Sequence, residues 1–91
     1  DGLSSDRITC IANDDKYIWF GTSDAGIMKF DRESKTWKSL SKNDGLAHNS
    51  VFSIAVDGDY LWIGTHRGLS RYHKVKNTWT IYTKYDDSED I

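Results

Sequence analysis

The chain is one unit written twice. Asp1-Gly2-Leu3 recurs as Asp44-Gly45-Leu46, and Ile8, Ile11, Ala12, Asp14, Tyr17, Trp19, Gly21 and Thr22 are answered 43 positions later by Val51, Ile54, Ala55, Asp57, Tyr60, Trp62, Gly64 and Thr65. The offset then falls to 42, pairing Gly26, Ile27, Phe30, Thr36 and Trp37 with Gly68, Leu69, Tyr72, Thr78 and Trp79. A single extra residue between Gly21 and Gly26 places a surface turn there. A period of about 40–45 residues built from short apolar runs marks a propeller blade or a related array, whose units must bury their faces against neighbours. The expected units are 1–43 and 44–91, with 85–91 reading as the start of a third unit that stops before its strand.

Each unit reads as four short strands. In the first they are Arg7 to Asn13, Tyr17 to Thr22, Gly26 to Phe30 and Thr36 to Ser41; in the second, Val51 to Val56, Tyr60 to Thr65, Gly68 to Tyr72 and Thr78 to Thr83. Asp14-Asp15-Lys16 and Asp57-Gly58-Asp59 supply tight turns, because Asp and Gly tolerate the backbone conformations that hairpins need. Hairpin connections make each sheet antiparallel. No window keeps a 3.6-residue period, so the chain is expected to be all-β.

The first two strands carry apolar residues on both faces. Ile8, Cys10 and Ala12 share one side and Ile11 takes the other, while Val51, Phe52, Ile54, Ala55 and Val56 fill both. A strand apolar on both faces belongs inside stacked sheets. The fourth strands, TWKSLS and TWTIYT, mix Lys, Ser and Thr among their aromatics, as edge strands do. Trp19, Phe20 and Ile11, with their counterparts Trp62, Ile63 and Ile54, are therefore expected to pack between blades. A closed propeller needs about 4–8 blades. Two readings follow: copies of the chain associate head to tail, or the residues are an excerpt, natural or engineered, of a longer chain. Two blades per copy give six blades from a trimer or eight from a tetramer, and bulky interblade aromatics favour the tetramer.

Bulk properties exclude several classes. A net charge of −2 with 29% charged residues offers no basic stripe for nucleic acid. No apolar run approaches the ~18 residues of a membrane span, and no signal peptide is evident. The single cysteine, Cys10, can form no internal disulfide and sits in an apolar strand, where an inert thiol is expected. His48, His66 and His73 lack close metal-ligand spacing, and the Asp-rich turns lack the glutamate of a calcium loop, so neither metal nor cofactor is expected.

The order DGL, an Ile/Val run ending near Asp, (L/I)W(I/F)GT, a glycine, an apolar-x-x-aromatic strand and a final aromatic strand resembles the two-component regulator propeller repeat. DGLAHNSVFSIAVDGDYLWIGTHRGLSRY is the closer copy; the first unit departs from it at DAGIMKF, where the extra residue falls. The resemblance implies blades of the periplasmic sensor regions of bacterial hybrid histidine kinases, which respond to polysaccharide fragments. It implies recognition, and nothing in its motif is catalytic.

Topology places candidate ligand-binding residues. In a four-stranded meander the segment leading into the first strand and the loop between the second and third strands lie at one end. His48, Asn49, His66 and Arg67 share that end in the second unit, and Asp6, Arg7, Ser23 and Asp24 in the first. A ring of such loops is a plausible surface for a saccharide or peptide, although polar residues are also what any solvated loop carries. His73 falls at the opposite end.

Overall fold

A computed structural model describes residues 6–83. The terminal third-unit stretch and the first Asp-Gly-Leu lie outside those residues. Eight strands form two antiparallel sheets: β1 Ile8–Asn13, β2 Tyr17–Thr22, β3 Ile27–Asp31 and β4 Thr36–Leu40, then β5 Val51–Asp57, β6 Tyr60–Thr65, β7 Gly68–His73 and β8 Thr78–Tyr82. Every strand boundary lies within one residue of the position read from the sequence. Strand order within each sheet follows chain order, β1-β2-β3-β4 and β5-β6-β7-β8, so the mixed-polarity strands β4 and β8 are edges.

Cross-strand partners of an antiparallel sheet share a face, and beyond a register shift between Ile8 and Cys10 and its repeat between Val51 and Ser53 the registers divide each sheet into two faces. In the first, Trp19 lies opposite Ala12 and Lys29, and Gly21 opposite Cys10 and Ile27. This face packs on the second sheet, which presents Ile54 beside Ile63, Val56 beside Leu61, and Tyr72 beside both Leu61 and Trp79. The core consists of Trp19, Ile27 and Leu40 from the first blade with Leu46, Val51, Leu61, Ile63 and Tyr72 from the second, and Cys10, Tyr17, Ile54, Val56 and Trp79 pack around it. Removing these large apolar side chains from water is what chiefly holds the two sheets together. Trp19 meets Tyr72 edge-on, ring centroids 6.2 Å apart.

Two features fix how closely the blades approach. A Cβ at Gly21 would lie 2.8 Å from Val51 Cγ1, so only glycine lets β2 and β5 come together. The Thr9 hydroxyl then donates to the Val51 carbonyl at 2.6 Å, tying the innermost strands of the two blades.

The segment between blades contains a short 3₁₀ turn, Lys42–Asp44, that the strand pattern did not anticipate. Its Ser41 hydroxyl accepts from Asn43 N and its Asp44 carboxylate accepts from Ser41 N, a reciprocal cap. Gly45 follows at φ 125°, against the face of Trp79, and delivers Leu46 into the core.

The opposite faces of the two sheets look outward. One carries Ile11, Phe20, Phe30 and Trp37, with the Trp37 ring tilted against those of Phe20 and Phe30, centroids 5.5 and 4.8 Å apart. The other carries Trp62, Tyr60, Arg71 and Tyr82, with Trp62 and Tyr82 stacked at 6.1 Å. Of the residues expected between blades, Trp19, Ile54 and Ile63 occupy the junction. Ile11, Phe20 and Trp62 occupy outward faces. Trp62 and Phe20 are half-buried and Ile11 is 62% exposed.

Candidate functional site

The loops gather at one end as the meander requires. Ser23 N donates to the Arg7 carbonyl at 3.1 Å, and His66 N donates to the Ser50 carbonyl at 3.0 Å, so in each blade the β2–β3 or β6–β7 loop is bonded to the segment leading into the inner strand. Thr22 and Thr65 shape these loops. Each hydroxyl donates to a glycine carbonyl, Gly26 or Gly68, at 2.8 Å and accepts a backbone N–H from within its loop.

On the first blade Arg7 and Asp24 approach to 4.0 Å at an exposed position, beside Ser23, with Asp6 exposed just before them. On the second, the rings of His48 and His66 lie 5.8 Å apart. His48 uses Nδ1 to accept from Ser50 N at 3.0 Å, which orients its Nε2 away from the backbone. Asn49 is differently employed. Its carbonyl accepts from Gly26 N at 2.9 Å and its side-chain oxygen accepts from Lys42 N at 2.7 Å, so it fastens the first blade's loop and the 3₁₀ turn to the segment before β5.

His48, His66 and Arg67 line an open concavity of about 800 Å³ together with Lys42, Ala47 and Ile81. Lys42 and Ile81 were not candidates from sequence. The only signal for Lys42 was the Ser41-x-x-Asp44 capping pattern around it, and Ile81 needed the fold to bring an edge strand beside the loops. Two imidazoles and two cations over an apolar wall suit a ligand rich in hydroxyl or carboxylate groups. Arg7, Asp24, Ser23 and Asp6 sit at the same end of the neighbouring blade, outside this concavity.

The opposite end is a structural clasp. Asp14 Oδ1 accepts from Lys16 N and Tyr17 N at 2.9 and 2.7 Å, closing the β1–β2 turn. Its Oδ2 accepts from Trp19 Nε1 at 3.4 Å and from Lys74 Nζ at 2.8 Å, across the junction. Burial pushes the Asp14 carboxyl up, but the Lys74 ammonium and the turn N–H groups outweigh it and hold the pKa at about 2. Lys29, over the rings of Tyr17 and Trp19 at 4.5 and 5.7 Å, has its pKa lowered by burial and then by Lys38. His73 Nδ1 accepts from Val75 N and Lys76 N, so this histidine caps the β7–β8 turn. Among the described residues no three His, Cys, Asp or Glu side chains gather as a metal site, and no helix is long and apolar enough to cross a membrane.

Comparisons with known proteins agree with this architecture. A sequence profile described as a two component regulator propeller matches residues 2–24 and 45–67. The extracellular domain of a protein from B. thetaiotaomicron described as a putative hybrid two component system is similar in structure, with a TM-score of 0.85 and 22% identity over 92% of this chain and 13% of that one. The extracellular domain of a putative one component system from the same organism matches with a TM-score of 0.69 and 21% identity over 93% of this chain and 12% of that one. The chain thus spans about an eighth of the length of these two structures. A search of curated proteins gives no match.

Proposed function

Because the chain belongs to the two-component regulator propeller family, we propose that it is a non-enzymatic pair of blades that closes a propeller ring with copies of itself, as a tetramer of eight blades in preference to a trimer of six. One observation carries this reading: the two outward faces are repeat images of the two faces buried in the junction. Trp62 stands in the place of Trp19, and Ile11 and Phe20 in those of Ile54 and Ile63. Each outward face therefore has the chemistry of a partner that already exists in the molecule. Sedimentation or light scattering at several concentrations should give one discrete species of three or four chains; a folded species with the mass of one chain refutes it.

A second reading, favoured by the concavity, is recognition of a polysaccharide fragment or peptide at the loop end. His48, His66, Arg67 and Lys42 would hydrogen-bond the ligand while Ile81 packs on its apolar side, and in a ring Asp6, Arg7, Ser23 and Asp24 would extend the surface around the opening. A glycan array would test it. Hits should weaken with Arg67→Ala and His66→Ala and be indifferent to Lys76→Ala at the other end; hits that ignore all three substitutions would place the binding elsewhere.

A further inference from the structure

We infer, resting on the ring reading above and specifying its interface, that the contact between copies is locked by an ion pair between Asp57 of one chain and Arg32 of the next, with Trp62 laid against Phe30. The pattern for it is the junction inside the chain, where three things meet: the Asp14 carboxylate, the Trp19 indole that donates to it, and Lys74, which reaches across from the β7–β8 turn.

Each half of that arrangement is preformed again on an outward face. On the second blade, Asp57 Oδ2 accepts from Trp62 Nε1 at 3.3 Å, as Asp14 does from Trp19. Arg71 lies over Tyr60 and Trp62 at 4.5 and 5.7 Å, the same spacings that Lys29 keeps from Tyr17 and Trp19. The acid, the indole and the cation over its ring are all in place. What is missing is the lysine from a following blade.

The first blade carries its equivalent. Arg32 occupies the repeat position of Lys74, and its N–H donates to the Lys16 carbonyl at 3.1 Å as that of Lys74 donates to Asp59 at 2.8 Å. The turns that carry them match as well, with Lys35 and Asn77 at φ 59° and 60°. Phe30 takes the place of Tyr72 and lies 4.8 Å from Trp37, as Tyr72 lies 4.5 Å from Trp79. Among the described residues Asp57 is paired with no cation and Arg32 with no carboxylate.

The rotation that carries the first blade onto the second would, applied to the whole chain, bring these halves together. A copy placed this way sets Arg32 against Asp57 and Phe30 under Trp62. Arg in place of Lys keeps the sign and adds a planar fork of donors suited to a carboxylate. The polarity is also selected, since two second-blade faces set against each other would oppose Arg71 to Arg71 and strip water from like charges.

The test uses the 91-residue chain and two charge reversals, Asp57→Lys and Arg32→Asp. Alone, each variant sets like charges in every contact and should associate ~10- to 100-fold more weakly than wild type. Mixed in equal amounts they should reassemble, because the lysine introduced in one variant meets the aspartate introduced in the other, while the native Asp57 and Arg32 meet at the alternate contact. Only an even ring can alternate, so native mass spectrometry should show two chains of each kind. Recovery on mixing also proves that both variants fold. Wild-type assembly with unaffected single variants, or a wild-type tetramer whose variants do not recover on mixing, overturns the ion pair and leaves the ring standing. A wild type that is folded and monomeric at every concentration overturns both.

Discussion

Trp19 and Trp62 are the same residue of the same repeat in two different surroundings. Both indoles donate to an aspartate at the β1–β2 or β5–β6 turn, and both lie beneath a cationic side chain that also covers a tyrosine. Yet Trp19 is completely buried and Trp62 is not. Local sequence therefore sets the rotamer and its polar partner, while energetic weight comes from the sheet stacked on top. The contrast extends along both faces: Ile63 is fully buried while Phe20 is half-buried, and Ile54 packs on the core while Ile11 is 62% exposed.

The largest expected effect tests this contrast directly. At concentrations where chains are separate, Trp19→Ala should cost about 3–5 kcal/mol in urea unfolding, the usual penalty for emptying a large core site, and Trp62→Ala roughly half of that. Assembly should erase the difference. Equal costs in separated chains would mean that Trp62 draws its stability from within its own blade.

The glycines facing the two tryptophans' neighbours come next. Gly21→Ala pushes a methyl into Cys10 Sγ and Val51 Cγ1 at the blade junction, and should cost about 1–3 kcal/mol. In separated chains Gly64→Ala meets only Ser53 and the ring of Phe52, both exposed and able to turn aside, so there it should be close to neutral. Thermal melts of the pair would show whether closeness between blades, rather than glycine as such, is what the repeat requires.

The clasp offers a third comparison. Lys74→Met should cost about 2 kcal/mol at neutral pH, since it strips a largely enclosed carboxylate of its ion-pair partner, whereas Arg32→Met in separated chains should fall within about 0.5 kcal/mol of wild type. The acid dependence follows from Asp14, whose pKa drops from 3.8 to about 2 on folding. A carboxyl depressed in the native state stabilises fully above about pH 4–5 and loses that contribution as pH falls through 2. Wild type should weaken over that window, and Lys74→Met should weaken less; identical acid profiles would remove Lys74 as the cause. Thr9→Val, which removes the hydrogen bond to the Val51 carbonyl, should cost about 1 kcal/mol in urea unfolding.

Much of the fold was legible because the chain states it twice. Strand limits could be cross-checked between units, and Asp14 and Asp57 marked turns in both. What escaped was whatever depends on which blade lies beside which. Trp19 and Trp62 are indistinguishable in sequence, so nothing in it could make their burial differ. Lys74 finds Asp14 sixty residues away in sequence, a pairing that only stacking reveals. At the loop end, the grouping of His48 with His66 followed from meander topology, but Asn49 looked like a ligand-facing amide and instead holds the backbone of Gly26 and Lys42. The 3₁₀ turn was hidden because three residues carry no periodicity to detect.

The matching of open to buried faces has a consequence for how such genes grow. A duplicated stretch of one repeat arrives with both of its faces already fitted to whatever it lands between, so lengthening the array demands no new interface. The repeats differ in length by one residue between the Gly21–Gly26 and Gly64–Gly68 loops, at the blade ends and outside the paired strands. Blade number can then change by copying error alone, leaving selection to act on the loops.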